Sequence, residues 1–377
     1  MECLLICPHF PLQEKTQIMH KKAISIYTET FHNSLGGRRR FNMHKLWLAL
    51  LLLFSASFVW AAEVPVNNNK LSNDLLSFTR IDHTFISEGK KCGAWLYLPE
   101  GVAKPPVVVM AHGFGAQRWM RLDAYAERFV QRGMAVFVFD YRGFNDSEGE
   151  PRNYINPSRH VQDWEAAVAY VRTLDAVDAK RMALWGTSFG AGHVIMIAAR
   201  DPGISAVVLQ VPFTDGISTA WSYGLPMQIK SIYHALWDQA DALFTNHRHN
   251  IRITSKPGGE FGMMSSPDAL SGMLSLCGFT DEKEYEPHNF CPANIAFTLT
   301  FYRPISYADK VTCPALVIGA EKDTLFPPDG PRKAANLMKN ATYISLPMGH
   351  FEPYTGEPFE KLVVQMGDFL WTHLRTP

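Results

Sequence analysis

The 377-residue chain lacks net charge, with 36 Lys and Arg against 36 Asp and Glu, and charged residues make up only 19% of it. That balance leaves no electrostatic case for a nucleic-acid partner. Cysteine is scarce, at six residues, and no C-x-x-C or mixed Cys/His metal spacing occurs; His247-Arg248-His249 alone reads as a solvated loop. The apolar stretch Leu46–Trp60 falls short of the ~20 residues a membrane span needs. What is present suits a globular protein with a large core, since 47% of residues are hydrophobic and 12% aromatic.

The zero balance hides a shift along the chain. Residues 1–61 hold seven basic side chains against three acidic ones, so the remainder has 29 basic and 33 acidic and is mildly acidic. Leu46–Trp60 follows Arg38-Arg39-Arg40 and Lys45 and ends at Ala61-Ala62. A positive n-region, an apolar h-region and small residues at the end describe a secretory signal peptide, with an uncleaved anchor as the alternative. Residues 1–62 are thus expected to be a prefix and signal, and 63–377 the working domain. The protein is expected to be exported, periplasmic or secreted, with no stable membrane span after cleavage. Met43 opens a compact signal and is expected to be the true start. If translation begins at Met1, Arg38-Arg39-Arg40-Phe41 partly resembles a twin-arginine export signal, which Asn42-Met43 and the very apolar h-region fit poorly.

Disulfides persist outside the cytosol. Cys92 and Cys313 border expected core strands and read as buried thiols, whereas Cys277 and Cys291 flank a polar loop that a disulfide could close.

The stretch that organises the chain is Met182-Ala183-Leu184-Trp185-Gly186-Thr187-Ser188-Phe189-Gly190, followed by an apolar helical pattern through Ala199. A strand that runs into Gly-x-Ser-x-Gly and then a helix is the context of a nucleophile elbow, so Ser188 is the candidate nucleophile. The glycines allow the tight turn, and the helix start points free N–H groups at the hydroxyl. The N–H of Phe189 is one candidate oxyanion donor. A second comes from His112-Gly113-Phe114-Gly115, a loop directly after the buried run Val107–Met110, through the N–H of Phe114. His112 is read as holding that loop, and Asp140 as bracing the next one through Arg142.

Buried β-branched runs at 107–110, 135–140, 206–210 and 314–320 alternate with helical patterns. That rhythm predicts an α/β fold with a mostly parallel, doubly wound sheet, and ligands bind beyond the carboxyl ends of such strands. Between about 216 and 303 the alternation stops. One amphipathic helix over Met227–Phe244 and a patch near Asp268–Leu276 predict a helical cap insertion. Its Trp221, Tyr223 and Met227, with Phe261, Met263 and Met264, are candidates for an apolar substrate pocket, or for packing the cap on the core. Asp323 lies just past one strand end and His350 past another. The order Ser188, Asp323, His350 is that of an α/β-hydrolase triad, in which His350 takes the serine proton and Asp323 fixes its tautomer; Glu321 could substitute for Asp323.

From about Phe78 to Leu374 the sequence resembles the α/β-hydrolase superfamily. The match rests on the His112–Gly115 loop, Asp140-Tyr141-Arg142-Gly143, Gly186-x-Ser188-x-Gly190, Asp323 and His350. Its core is similar to the dienelactone-hydrolase-like and Xaa-Pro dipeptidyl-peptidase-like branch. The resemblance implies hydrolysis without a cofactor, through an acyl-enzyme, of a small-molecule ester or a short peptide. An ester is preferred because the cap offers no acidic pair for a peptide's amine. A peptidase, amidase or thioesterase with the same triad is the alternative, and acyl transfer or haloperoxidase-like chemistry is a further use of the same site. A non-catalytic binding protein on this fold would not need the triad. The oligomeric state is not readable from these motifs.

Overall fold

The computed structural model describes residues 75–245 and 247–375. The expectations for the prefix, the signal and Met43 lie outside the described residues.

Four strands carry almost unbroken apolar runs and are buried on both faces, β3 (Pro106–Ala111), β4 (Ala135–Phe139), β6 (Ala206–Gln210) and β10 (Ala315–Ala320), as is β5 (Asp178–Thr187) from Met182 onward. Strands of this kind need helices above and below. β1 (Phe78–Ser87) and β2 (Lys90–Pro99) form an antiparallel hairpin, and β11 (Ala341–Leu346) closes the far edge. The eight-stranded sheet runs β1-β2-β4-β3-β5-β6-β10-β11, parallel from β4 onward. The covering helices include α1 (Leu122–Val130), α2 (Pro157–Val171) and α3 (Phe189–Arg200).

Between β6 and β10 lies the segment expected as a cap. It holds α4 (Gly216–Ser222), α5 (Gly224–Phe244) and α6 (Ala269–Cys277). It also holds a small sheet of β7 (Asn250–Thr254), β8 (Gly262–Met264) and β9 (Cys291–Pro292), with β7 in the middle. The chain leaves and rejoins the core at adjacent points. Asp215 accepts the backbone N–H groups that open α4 and also pairs with Arg303 at 2.8 Å, while Gly216 N–H donates to the Tyr302 carbonyl at 2.9 Å. After β10 come α7 (Gly330–Leu337) and α8 (Gly356–Leu374).

The structure answers one open reading and corrects one expectation. Cys277 and Cys291 are free thiols, as are Cys92 and Cys313. Cys291 is buried in β9 while Cys277 ends α6, so two separate elements hold them in place without a bond. Asp140 does not brace Arg142. Arg142 instead donates to Asp163 of α2 at 2.5 Å, and Asp140 pairs with Arg118.

Candidate active site

Ser188 sits between β5 and α3 with φ 54° and ψ −123°, a conformation a non-glycine residue adopts only when its surroundings enforce it. They do so from both sides. Ser188 N–H donates to the Gln210 carbonyl at 2.9 Å, and Phe213 N–H donates to the Ser188 carbonyl at 2.9 Å. The neighbouring backbone passes so close that a Cβ on Gly190 would lie 2.6 Å from the His112 oxygen, and one on Gly186 would lie 2.8 Å from the Ala191 Cα. Glycine at both positions is therefore a packing requirement.

His350 follows β11 and is 2% exposed. Its Nδ1 lies 2.7 Å from Asp323 Oδ2 and its Nε2 lies 3.1 Å from Ser188 Oγ. In the matching tautomer Nδ1–H donates to the carboxylate, and Nε2 is free to accept the serine proton. Asp323 is itself fixed, because its Oδ1 accepts the N–H groups of Leu325 and Phe326 at 2.8 and 3.0 Å. Glu321 is engaged elsewhere, accepting from Ser345 Oγ at 2.8 Å. Phe326 and Phe351 pack edge-on against the imidazole at 5.1 Å each and hold its plane.

The loop after β3 approaches the serine closely. A Cβ on Gly113 would be 3.0 Å from Ser188 Cβ and 3.5 Å from the Phe189 nitrogen, so the Phe114 and Phe189 backbones border the same small space. Phe189 is the first residue of α3, where helix N–H groups have no partner within the helix. The loop is held from beneath. His112 Nε2 lies 3.3 Å from Asp140, Asp140 Oδ1 accepts Arg118 N–H at 2.7 Å, and Tyr141 OH donates to the His112 carbonyl at 3.1 Å. Burial would raise the Asp140 carboxyl, but the hydrogen bond and charge of His112, with the Arg118 cation, hold it below the ordinary value.

A pocket opens at Ser188 with about 410 Å³ of space, its mouth included. Its apolar wall comes from the core through Ala116, Met120 and Leu122, and from the inserted segment through Met264, Met273 and Leu276. α6 rests directly on the loops that carry His350 and Asp323. A Cβ on Gly272 would meet the Phe351 ring at 2.2 Å, and Thr324 donates to Asp268 at 2.6 Å. Among the described residues no three His, Cys, Asp or Glu side chains gather as a metal site.

A serine hydroxyl beside an imidazole that a fixed carboxylate holds is an arrangement that can support acyl transfer to water. The family model described as alpha/beta hydrolase fold matches residues 106–357. The chain belongs to the α/β-hydrolase fold family. The hydrolase is 38% identical to the quorum-quenching protein AidA of Acinetobacter baumannii over 77% of this chain and 94% of that protein. It is 25% identical to the polyketide transferase ATR5 of Stachybotrys chlorohalonatus, over 78% and 97%. Among solved structures, DcsB with its substrate analogue superposes with a TM-score of 0.68 at 22% identity, covering 79% of this chain and all of that one. Est1E of Butyrivibrio proteoclasticus with ferulic acid bound gives 0.53 at 17%, over 78% and 100%.

Of the cap residues expected to touch substrate, Trp221, Tyr223 and Met227 do not line the hydrolase's pocket, whereas Met264 does. Trp221 is 75% exposed, because the apolar side of α4 and α5 faces outward. Tyr223 is half-buried, and burial followed by the charges of Asp323 and Asp268 raises its phenol. Sequence reasoning missed Tyr354, which lines the pocket and shares a hydrogen bond with Thr187, the residue before the serine. Gln210 Nε2 donates to the same threonine at 3.3 Å, and Tyr125 OH donates to Gln210 at 3.0 Å, a buried polar string with no local motif. Also missed was the pair behind α3. Tyr302 OH and His193 Nδ1 share a hydrogen bond at 2.6 Å, and His193 Nε2 faces His160 Nδ1 at 3.3 Å. Burial and the nearby His112 push His193 down to about 3, and burial followed by the charge of His193 holds His160 well below its usual value.

Proposed function

We propose that this hydrolase cleaves carboxylic esters through an acyl-enzyme on Ser188. His350 removes the hydroxyl proton and returns it to the leaving alcohol, Asp323 stabilises the imidazolium, and the N–H groups of Phe114 and Phe189 receive the oxyanion. Water activated by the same histidine then releases the acid. The observation that carries this reading is the pair of contacts from one imidazole, 3.1 Å to Ser188 Oγ and 2.7 Å to Asp323.

The substrate is a small molecule with an uncharged acyl group, since the pocket wall is methionine, leucine, alanine and phenylalanine with no carboxylate or ammonium. The same wall supports an ester over a peptide, whose terminal amine would go unpaired. A thioester is the second reading, favoured by relatives named thiohydrolases, one of which is 24% identical over 75% of this chain. The enzyme acts outside the cytosol, after loss of the Leu46–Trp60 segment; N-terminal sequencing of the mature protein, finding Met1 or Met43 instead, would refute this.

The test is a fluorophosphonate probe followed by a substrate panel. An adduct on the folded protein that disappears in Ser188→Ala is expected, with turnover of p-nitrophenyl acyl esters. No adduct, or one that survives the substitution, would favour a binding protein. Turnover of aminoacyl anilides alone would make it a peptidase.

A further inference from the structure

Helix α5 is turned inside out. The side that meets the rest of the molecule carries Ser231, His234, Ala235 and Asp238, and only Ala235 and Asp238 on it are fully buried. The Asp238 carboxylate is satisfied by Arg248 and by the His249 N–H at 3.0 Å. The opposite side carries Leu225, Ile229, Ile232, Leu236 and Leu243, all more than half exposed. An amphipathic helix of a protein complete in itself faces the other way.

The spacing of that outer side is specific. Leu225, Ile229, Ile232, Leu236, Gln239 and Leu243 follow one another at intervals of four and three, the 3.5-residue period that seats one helix against another. The positions of the row are spaced symmetrically about residue 234, so that in an antiparallel copy Leu225 faces Leu243, Ile232 faces Leu236 and Ile229 faces the single polar member, Gln239. A row with that symmetry is complementary to its own antiparallel copy, as a two-fold contact demands. Neither charge nor area speaks for another occupant. The helix has one lysine, Lys230, against Asp238 and Asp241, and so lacks the basic polar face that helices lying on anionic membranes carry. Around the row, Trp221, Phe244, Phe297 and Phe301 are 57–81% exposed. At about 200 Å² apiece these four present on the order of 550 Å². The exposed aliphatic side chains bring the face to the ~800 Å² that one side of a standard interface buries.

We propose that the outward face of α5, with its aromatic surround, is the contact between two copies of this chain, the two helices lying antiparallel across a two-fold axis near residue 234.

The test is sedimentation velocity with light scattering on the purified full chain at micromolar concentration. Twice the chain mass is expected for the wild type, and the single-chain mass for Ile232→Glu/Leu236→Glu. Both positions are on the surface and away from the pocket, so the variant keeps its fold by circular dichroism and its turnover per chain. A second readout is a benzophenone maleimide on Gln239→Cys, which is expected to yield a covalent dimer joined near Ile229. A monomeric wild type, or a dimer that survives the double substitution, overturns the proposal. So does a monomer that floats with phosphatidylcholine–phosphatidylglycerol vesicles, which assigns the face to lipid. A photoadduct within one chain to residues 46–60 would assign it to the prefix instead.

Discussion

Gly272→Ala should show that the inserted segment sets His350 as well as the pocket wall. The added Cβ would lie 2.2 Å from Phe351 Cγ and 2.3 Å from Cδ2, atoms at the root of the ring, where rotation gives little relief. Carbon atoms settle near ~3.5 Å, so α6 or Phe351 must retreat by about 1.3 Å. Overpacking of this size costs about 1–3 kcal/mol. Phe351 follows His350 directly, and a misplacement of about 1 Å at a reacting group lowers turnover by about 100-fold. The expected result is a loss of roughly 10- to 100-fold in kcat/KM for a p-nitrophenyl ester, with the fold retained. Phe351→Ala removes Cγ and the ring together, the atoms the new Cβ would strike, so the double variant should regain part of the activity lost in Gly272→Ala. A double-mutant cycle on kcat/KM measures this coupling. Wild-type activity in Gly272→Ala, or additive losses in the double variant, would refute the idea that α6 bears on His350 through Phe351.

Ser188→Ala should lower ester turnover by about 10⁴- to 10⁶-fold without lowering the melting temperature, read by spectrophotometry and calorimetry. Arg118→Met should cost about 3–5 kcal/mol in urea denaturation, since it leaves the buried Asp140 carboxylate without its cation; adding Asp140→Asn should return part of that. Tyr302→Phe leaves the buried His193 Nδ1 without its hydrogen-bond partner and should cost about 1–3 kcal/mol by the same measurement. For the pH dependence, His193 is lowered from 6.5 to about 3 in the folded state, so below pH 6.5 the unfolded chain binds the proton and the folded chain does not. Stability should therefore fall as pH drops from 6.5 toward 3, by up to about 1.4 kcal/mol per unit for this group, with His160 acting in the same direction. A flat profile from pH 6.5 to 4.5 would contradict the buried neutral pair.

The strands β3 to β6 and β10 were legible because burial on both faces leaves only apolar residues, a pattern that survives in one dimension. The elbow and the order Ser188, Asp323, His350 were legible for a related reason: strand ends are marked by turn residues, and chemistry-bearing side chains stand out there. Partner choice was not legible. Asp140 and Asp163 are both within loop reach of Arg142, and only the folded chain shows that Arg118 takes one and Arg142 the other. Periodicity also says which residues share a face and not what covers it. The stripe on α5 was legible as amphipathic, and only the folded chain shows that it is turned to the outside. Met120, Met273, Leu276 and Tyr354 carried no signal, since an apolar side chain beside a nucleophile looks like any other in the core.

Asp215 and Arg303 lie side by side, so the roughly ninety residues between them depart and return through one doorway. A stretch hung that way can be lengthened, trimmed or rewritten without shifting a single strand against its neighbour. The part of the pocket wall that Met264, Met273 and Leu276 supply is then free to diverge, as long as α6 keeps its seat on Phe351 beside His350.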